Sequence, residues 1–247
     1  VELINTILKD CGFKTFLGGN IGIPFSDNVI HEIDENDNLK NNFHILEVSS
    51  FQLEDIKFFK PNISIILNIS PDHLDRYNSF KDYIKTKLNI LINQDKDCYA
   101  IINDSNINIH NKNYNFNILK FSISNSQLLI NGKEKKIDIS NTKLFGTHNY
   151  ENIAAASIVS SLCGIKESSI INSINKFSPL SHRLENIKIS SNINYYNDSK
   201  ATNISATLAA IESIDNNIIL ILGGIDKNNS DFSILKNFSN KIKYIIL

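Results

Sequence analysis

A cluster of acidic, basic and imidazole side chains lies directly behind a short apolar run. The apolar run is Ile63-Ser-Ile-Ile-Leu67, and the polar stretch is Asn68-Ile-Ser-Pro-Asp-His-Leu-Asp-Arg-Tyr77. The apolar run predicts a buried parallel strand, and open α/β sheets bind their ligands at the carboxyl ends of such strands. Asp72, His73 and Asp75 are therefore candidates to bind a divalent cation.

One further acidic residue is expected to reach this site from the neighbouring strand. The segment Phe43-His-Ile-Leu-Glu-Val-Ser49 predicts that strand, with Glu47 near its carboxyl end. In the alternative interpretation no metal is bound: Ser70 or Asp72 caps a helix, and His73 is an ordinary polar surface residue. The residue types leave both interpretations open.

Length and composition favour a globular protein with two domains. The chain has 247 residues, of which 42% are hydrophobic, and this exceeds the usual size of a single domain. With 25 basic and 26 acidic residues and no basic stripe, the chain is not expected to bind nucleic acid. No apolar run is long enough to span a bilayer and no leader-like start is visible, so we expect a cytoplasmic protein without a membrane partner.

Helical and strand patterns alternate along the chain, which predicts an α/β fold. The glycines of Gly18-Gly-Asn-Ile-Gly-Ile-Pro24 predict a tight turn that lets a ligand approach the backbone, and Asn131-Gly132 predicts a hairpin turn. Pro179 marks the expected boundary between domains at residues 1–178 and 179–247. The predicted helices are 1–11, 80–93, 148–163, 167–177 and 202–214. The predicted strands are 13–17, 43–49, 63–68, 97–103 and 218–222, with two or three antiparallel strands within 116–139 and short strands near 186–197.

Both ends of the chain are expected to be incomplete. The sequence contains no methionine, and it closes on the apolar run Lys243-Tyr-Ile-Ile-Leu247, which predicts a strand with nothing after it to cover the sheet. We also expect the strand Ile218-Ile-Leu-Ile-Leu222 to be buried.

Five further clusters combine polar residues in ways that a packed core does not require. Together with the stretch from Asn68 to Tyr77, and in this order along the chain, they closely resemble motifs of the Mur ligase family. The resemblance extends over essentially the whole sequence. The clusters are Glu47-Val-Ser-Ser-Phe-Gln-Leu-Glu54, Gly146-Thr-His-Asn-Tyr-Glu-Asn152, Ser181-His-Arg-Leu-Glu185, Asp198-Ser-Lys-Ala-Thr-Asn203 and Gly223-Gly-Ile-Asp-Lys227.

The resemblance implies an ATP-dependent amide ligase of peptidoglycan precursor synthesis. It implies a central parallel-sheet ATPase-type domain that binds ATP and Mg²⁺, followed by a partial Rossmann-like domain that binds the amino acid. The motifs at 47–54 and 198–203 resemble those of members that add D-glutamate to UDP-N-acetylmuramoyl-L-alanine. In such members ATP phosphorylates the substrate carboxylate, and the amine of D-glutamate attacks the resulting acyl phosphate.

The resemblance also implies a metal site and a catalytic set. Glu47 and His73 match magnesium ligands, and Lys87 in Tyr83-Ile-Lys-Thr-Lys87 matches a lysine whose carbamylated side chain carries a negative charge toward the metal. Lys87, His73 and Lys200 match the catalytic groups. From the residues alone, Lys85 is as plausible as Lys87.

The remaining implied contacts involve both substrates and the nucleotide. Asn20, Ser49 and Ser50 match positions near the muramoyl-alanine substrate. Asn149, Asn152, Arg183 and Asp198 match nucleotide-binding positions, and Lys200, Thr202 and Lys227 match ligands of the D-glutamate carboxylates. A lysine point charge and a hydroxyl group suit carboxylates on a small substrate.

Three departures from the family pattern limit what the resemblance implies. Ser181 stands where proline is usual, no glycine follows Lys227, and the phosphate-binding motif Gly-Lys-Ser/Thr is absent. We therefore expect the 247-residue chain by itself to lack ligase activity and to bind ATP weakly. Alternatives are a non-catalytic relative used for binding or scaffolding, another Mur ligase, or a folylpolyglutamate synthase relative; a monomer is expected.

Overall fold

The computed structural model divides into two compact units. The first unit comprises Val1–Ile69, Lys81–Thr142 and Glu151–Phe177, and the second comprises Ser70–Phe80, Lys143–Tyr150 and Ser178–Leu247. The predicted domain boundary at residue 178 stays a prediction. The residues that the structure describes are 1–34, 42–104, 114–124, 127–131, 133–135, 137, 141–144, 146–187, 193–215, 217–225 and 231–247.

The chain opens with an amphipathic helix, α1 (Glu2–Asp10), as the sequence predicts. Leu3, Ile4, Ile7 and Leu8 are buried on one face. The helix ends at Cys11 because Gly12 follows with a φ of 85°, a left-handed conformation that glycine adopts without strain. The chain then enters β1 (Lys14–Gly19).

A parallel two-stranded sheet positions the first predicted site residues. β1 pairs with β2 (Asn42–Glu47) in a register that places Lys14 opposite Asn42 and Gly19 opposite Glu47. Between the two strands lies α2 (Phe25–Asp34), a helix that the sequence analysis did not predict. The loop after Glu47 leads at once into the short helix α3 (Ser50–Glu54).

A five-stranded sheet forms the larger part of the first unit. Its strands are β3 (Ile63–Ile66), β4 (Tyr99–Asn103), β5 (Asn117–Ser124), β6 (Gln127–Ile130) and β7 (Lys133–Lys135). The pairs β3–β4 and β4–β5 are parallel, and β6 and β7 add on as antiparallel strands. β4 lies in the core of the unit, because Ala100, Ile101 and Ile102 are fully buried.

The prediction that Glu47 lies on the strand next to residues 63–67 is wrong. Among the described strands, β2 pairs with β1 and β3 pairs with β4, in separate sheets. Neighbours in sequence are neighbours in a sheet only about two-thirds of the time, so chain order does not determine strand order.

Three more helices lie wholly or mostly in the first unit. α4 (Phe80–Leu88) continues into a 3-10 turn at Asn89–Leu91, which together match the predicted helix at 80–93. α5 (Thr147–Leu162) buries every residue from Ile153 to Ser160, and α6 (Glu167–Lys176) packs against α1. An unbroken run of small and apolar residues is typical of a helix that is covered on all sides.

The second unit contains two small sheets and a capped helix. β8 (Glu185–Ile187) and β9 (Tyr195–Asn197) are antiparallel, whereas β10 (Ile218–Ile221) and β11 (Ile242–Ile246) are parallel. Between these pairs lies α7 (Ile204–Ser213), which begins at Asn203 because its Oδ1 accepts the Ala206 N–H at 2.9 Å. A 3-10 helix, Phe232–Phe238, precedes β11.

The prediction of a buried strand at 218–222 is wrong in one respect. The strand exists, but Ile219 is 57% and Ile221 is 75% exposed. Only alternate residues of β10 face neighbouring residues, so an apolar run does not by itself show that both faces of a strand are covered.

Every helix among the described residues is too short or too polar to cross a lipid bilayer.

Candidate functional site

The glycine turn after β1 lies directly against the end of β2. The Asn20 N–H donates to the Glu47 carbonyl at 2.7 Å, and the Gly19 N–H donates to the Ile23 carbonyl at 3.0 Å. A Cβ on Gly19 would lie 2.4 Å from the Glu47 carbonyl oxygen, and one on Gly18 would lie 2.1 Å from that of Ile23. No side chain fits at either position, so the two glycines let the turn approach the strand.

This approach brings two predicted site residues together. Asn20 Nδ2 donates to Glu47 Oε1 at 3.2 Å. The described residues offer Glu47 Oε2 no hydrogen bond, so this carboxylate oxygen is available to a ligand. Asn20 and Glu47 were predicted from different motifs, and the structure joins them in one site.

Asn28 supports the same turn, and the sequence analysis missed it. Its side chain is 3% exposed, and its Nδ2 donates to the Leu17 carbonyl at 3.2 Å. The same Nδ2 lies 2.7 Å from where a Gly18 Cβ would be. A single asparagine carries no sequence signal of burial, so no pattern could have identified it.

A second polar contact fixes β2 to α2. His44 Nε2 lies 2.9 Å from Glu32 Oε2, and Asn42 Nδ2 donates to Glu32 Oε1 at 2.9 Å. The His44 ring is stacked on Phe16 at a centroid distance of 5.0 Å. These contacts anchor the strand that carries Glu47 three residues further on.

Ser49 and Ser50 follow Glu47 closely in sequence; Ser49 caps a helix and Ser50 is buried. Ser49 is the N-cap of α3: its Oγ accepts the Gln52 N–H, and Gln52 Oε1 accepts the Ser49 N–H at 2.9 Å. This is the reciprocal arrangement of a capping box. Ser50 is 2% exposed. Their predicted contact with the muramoyl-alanine substrate stays a prediction.

The segment that carries His73 forms turns in the second unit. His73 has a φ of 52°, its N–H donates to Asp72 Oδ1 at 2.9 Å, and its Nε2 lies 3.8 Å from Asp72 Oδ2. The next helix begins at Phe80. The helix cap of the alternative interpretation is therefore wrong, because the left-handed His73 stops helical geometry at this point. Its other part, that His73 is an ordinary polar surface residue, stays open.

The two candidate lysines of α4 differ in their surroundings. Lys87 is half-buried, and its Nζ lies 5.5 Å from the ring centroid of Tyr83, which is 5% exposed. Lys85 is exposed. Sequence alone could not separate the two lysines, and the structure favours Lys87 as the residue held in a defined position.

In the second unit, the turn at 181–184 is joined to the turn at 197–201. Asp198 Oδ1 accepts the Leu184 N–H at 2.9 Å, and the Lys200 N–H donates to the His182 carbonyl at 3.1 Å. This brings Arg183 and Lys200, predicted from separate motifs, into one loop cluster. Both side chains are exposed and make no hydrogen bond or ion pair with any residue that the structure describes.

The other predicted nucleotide and amino-acid ligands are only partly described. Asn149 and Asn152 lie three residues apart near the start of α5 and therefore share a helix face. Thr202 is exposed beside the N-cap of α7. Lys227 lies outside the described residues.

The predicted metal ligands are divided between the two units. Glu47 and Lys87 belong to the first unit, and His73 belongs to the second. Within the described part of the chain, no three His, Cys, Asp or Glu side chains gather closely enough to hold a metal ion. The metal set stays a prediction.

Comparison with known proteins places these motifs in a family context. Residues 1–160 match the family model described as the Mur ligase middle domain. The UDP-N-acetylmuramoylalanine--D-glutamate ligase of Thermoanaerobacter sp. (strain X514) is 39% identical over 262 residues, covering 100% of this chain and 56% of that protein. The protein of the same name from Francisella tularensis subsp. novicida (strain U112) is 37% identical over 251 residues, again covering 56% of its length. The chain thus spans about half the length of the curated relatives it matches.

A solved structure has the same fold over nearly the whole chain. It is the UDP-N-acetylmuramoylalanyl-D-glutamyl-2,6-diaminopimelate--D-alanyl-D-alanyl ligase from Acinetobacter baumannii, with a TM-score of 0.64 over 99% of this chain and 63% of that chain. The two sequences are 13% identical, so this likeness concerns the fold alone. It confirms the predicted α/β class.

Proposed function

The chain belongs to the Mur ligase family, and from this premise we propose that it acts in ATP-dependent amide-bond formation. The proposed reaction joins D-glutamate to UDP-N-acetylmuramoyl-L-alanine through an acyl phosphate, in peptidoglycan precursor synthesis. The proposal draws its substrates from the names of the curated relatives. The observation that carries it is the contact between Asn20 and Glu47, because a scaffold has no need for an exposed amide that orients a carboxylate.

The proposed chemistry is limited by charge repulsion. An anionic carboxylate must approach an anionic triphosphate, so cationic side chains have to neutralise the charge that develops between them. The exposed guanidinium of Arg183 and ammonium of Lys200 suit this task, because neither is neutralised by a described carboxylate. We assign Arg183 to the nucleotide and Lys200, with Thr202 and Lys227, to the D-glutamate carboxylates.

Asp198 requires a modified assignment within the proposed nucleotide site. One of its oxygens accepts the Leu184 N–H, which ties the carboxylate to the turn that carries Arg183. We therefore propose that Asp198 contacts the nucleotide only through its other oxygen. Asn149 and Asn152 are proposed to contact the adenine from the start of α5.

Glu47 fits a magnesium ion in the type of donor it offers. Mg²⁺ prefers carboxylate oxygens, and Asn20 holds one Glu47 oxygen while the other has no hydrogen bond among the described residues. We propose Glu47, His73 and Lys87 as the residues that would hold this ion, with Lys87 carbamylated. The ion would supply charge neutralisation at the phosphate oxygens.

Other properties of the proposal follow from the proposed substrates. We place the reaction in the cytoplasm, where ATP and nucleotide-linked sugars are available. We propose that the protein works as a monomer and without a nucleic acid or membrane partner.

Amino-acid-dependent phosphate release by the protein, as its source cell makes it, tests this function. We expect release from ATP only when UDP-N-acetylmuramoyl-L-alanine and D-glutamate are both present. Preference for L-lysine, L-alanine or diaminopimelate would contradict the D-glutamate assignment. Binding of the sugar nucleotide without any consumption of ATP would instead favour the non-catalytic alternative.

A pair of lysine variants tests the assignment on α4. We expect Lys87→Ala to abolish phosphate release, with partial restoration by added formate or acetate that replaces the missing anion. Lys85→Ala is the matched control, because Lys85 lies on the same helix and is exposed. Equal losses in the two variants would contradict a special role for Lys87.

A further inference from the structure

A contact between His182 and Asn197 lies at the centre of the loop cluster in the second unit. Asn197 Nδ2 is 2.8 Å from His182 Nδ1. Asn197 Oδ1 accepts the Ser199 N–H at 3.1 Å, which determines the orientation of the amide group. The amide nitrogen must therefore donate to the imidazole, and the His182 ring must be neutral with its proton on Nε2.

The backbone of His182 makes two further contacts in the same cluster. Its N–H donates to Glu185 Oε2 at 2.8 Å, and its carbonyl accepts the Lys200 N–H at 3.1 Å. His182 thus touches the strand that follows it and the turn that carries Lys200. Moving this one residue would displace both.

The backbone around Arg183 is strained. His182 has a φ of 66° and Leu184 a φ of 46°, left-handed conformations that are costly for residues other than glycine. Such residues persist only where surrounding contacts hold them. Arg183 lies between them, so its direction depends on the contacts of His182 and on the bond from Leu184 to Asp198.

We propose that His182 and Asn197 form a positioning pair that holds Arg183 and Lys200 together for an anionic ligand, and that the pair works only while His182 is neutral. The ligand chemistry is a phosphate or carboxylate group, since both cations are exposed and lack a partner among the described residues. The inference rests on the proposed function only for the identity of that anion.

Protonation of His182 would set an N–H against the amide N–H of Asn197. The amide cannot rotate to offer its oxygen without breaking the bond from Ser199. The charged groups near the ring are Glu185, whose Oε2 lies 4.0 Å from Nδ1, and Asp198, Arg183 and Lys200 in the joined turns. Glu185 attracts a protonated ring, so protonation would draw His182 from Asn197 toward Glu185.

Two substitutions separate a positioning role from a structural one. His182→Asn places a carbonyl oxygen near the position of Nδ1, tolerates the left-handed backbone and does not titrate. His182→Ala removes the acceptor. Asn186→Ala is the matched control, because Asn186 is an exposed residue of β8 in the same cluster of strands.

The experiment measures how tightly the 247-residue chain binds an anion. One arm of the experiment uses tripolyphosphate and the other uses D-glutamate. At pH 8 we expect His182→Ala and Asn197→Ala to bind the anion roughly 3- to 10-fold more weakly than wild type, as for one lost hydrogen bond. His182→Asn and Asn186→Ala should bind like wild type. At pH 5.5 wild type should lose affinity relative to His182→Asn. The arm that responds identifies the anion.

Nuclear magnetic resonance gives an independent readout in the absence of any anion. Titration of the His182 ring should move the Lys200 amide and Arg183 Nε signals in wild type, but not in His182→Asn. The proposal is overturned if His182→Ala binds both anions like wild type, if wild type and His182→Asn respond alike to pH, or if neither anion binds at millimolar concentration. A lower thermal midpoint with unchanged affinity would also overturn it. Failure of the ligase assay leaves these measurements intact, so the two failures are distinguishable.

Discussion

Gly19 is the residue that allows Asn20 to reach Glu47. It combines a φ of 102° with a position where a Cβ would lie 2.4 Å from the Glu47 carbonyl oxygen. Conformational freedom and small size are both needed here. Gly22 in the same turn needs only the conformational freedom, because no atom lies within 4 Å of the position that a Cβ would occupy.

Gly19→Ala and Gly22→Ala therefore test the two requirements separately. We expect Gly22→Ala to lower the free energy of unfolding by about 1 kcal/mol, the cost of a left-handed backbone. Gly19→Ala should cost about 2 kcal/mol or more, because the turn must also move away from β2. Urea unfolding measures both, and equal costs would show that contact with Glu47 is not restrictive.

A surface ion pair provides a prediction about pH. The hydrogen bond from Lys60 lowers the pKa of Asp95, and the Asp97 N–H adds to this effect. A carboxylate with a lowered folded pKa stabilises the protein above its unfolded pKa of about 4, and this stabilisation is lost as the pH falls through the folded pKa.

Asp95→Asn should accordingly be less stable than wild type at pH 7, and the difference should shrink below about pH 4. Asp97→Asn, two residues away, is the control. The measurement is the urea midpoint as a function of pH. If the difference in urea midpoint between wild type and Asp95→Asn stayed the same below about pH 4, the charge of Asp95 would not be the source of its stabilising effect.

At this scale the sequence predicted residue types better than residue contacts. Asn20 and Glu47 were identified by motif, but their hydrogen bond depends on a parallel register that no local pattern specifies. Lys85 and Lys87 are equal in sequence and differ only once Tyr83 is buried. His182 belongs to a motif and Asn197 immediately precedes one, yet their contact requires two turns to meet.

At the scale of elements, Lys241 links β11 to the end of α7. Its Nζ donates to the carbonyls of Ile211 at 3.3 Å, Glu212 at 2.9 Å and Ile214 at 2.7 Å. These carbonyls lie in the last turn of the helix or just beyond it, where the helix supplies few N–H donors; that of Ile211 also accepts the Ile214 N–H at 3.3 Å. A positive charge is also favourable at this end of a helix dipole.

Lys241→Met should lower the free energy of unfolding by about 1–3 kcal/mol, because it keeps the aliphatic chain and removes the charged donor. Lys243→Met should change stability little, because Lys243 is exposed on β11, two residues further along the chain. Chemical denaturation of both variants is the measurement. Equal midpoints for the two variants would refute the capping role.

The helices with the strongest apolar patterns were predicted from the sequence, but α2 was not. α1 and α5 bury apolar residues at helical spacing or throughout their length. α2 carries Phe25, Val29 and Ile33 at helical spacing, so its sequence held a helix signal that was overlooked, although the only residue of it classed as buried is Asn28. Strand order could not be predicted either, because the pairing of β2 with β1 and of β3 with β4 is decided by tertiary packing.

At the scale of the whole molecule, the parallel pair β10–β11 presents an exposed apolar face. Ile219 pairs with Tyr244 and Ile221 with Ile246, and all four side chains are at least 50% exposed. Parallel sheets normally have both faces covered. A contiguous apolar surface of this kind favours association between molecules.

We expect the 247-residue chain to self-associate with increasing concentration, and Ile221→Lys to reduce this association. A lysine at this exposed position places a charge on the apolar face, which opposes association, and it does not disturb the core. Ile92→Lys is the control, because Ile92 is 66% exposed but lies outside this sheet. Light scattering over a concentration series measures the effect. Equal association in both variants would show that the β10–β11 face is not responsible.

The buried segment of α5 also has a consequence for hydrogen–deuterium exchange. All residues from Ile153 to Ser160 are shielded, so their amide protons should exchange only when the surrounding structure opens as a whole. The exchange rate of this one segment then reports the free energy of that opening. Because a ligand that binds only the folded form makes opening rarer, α5 serves as an internal gauge of ligand affinity.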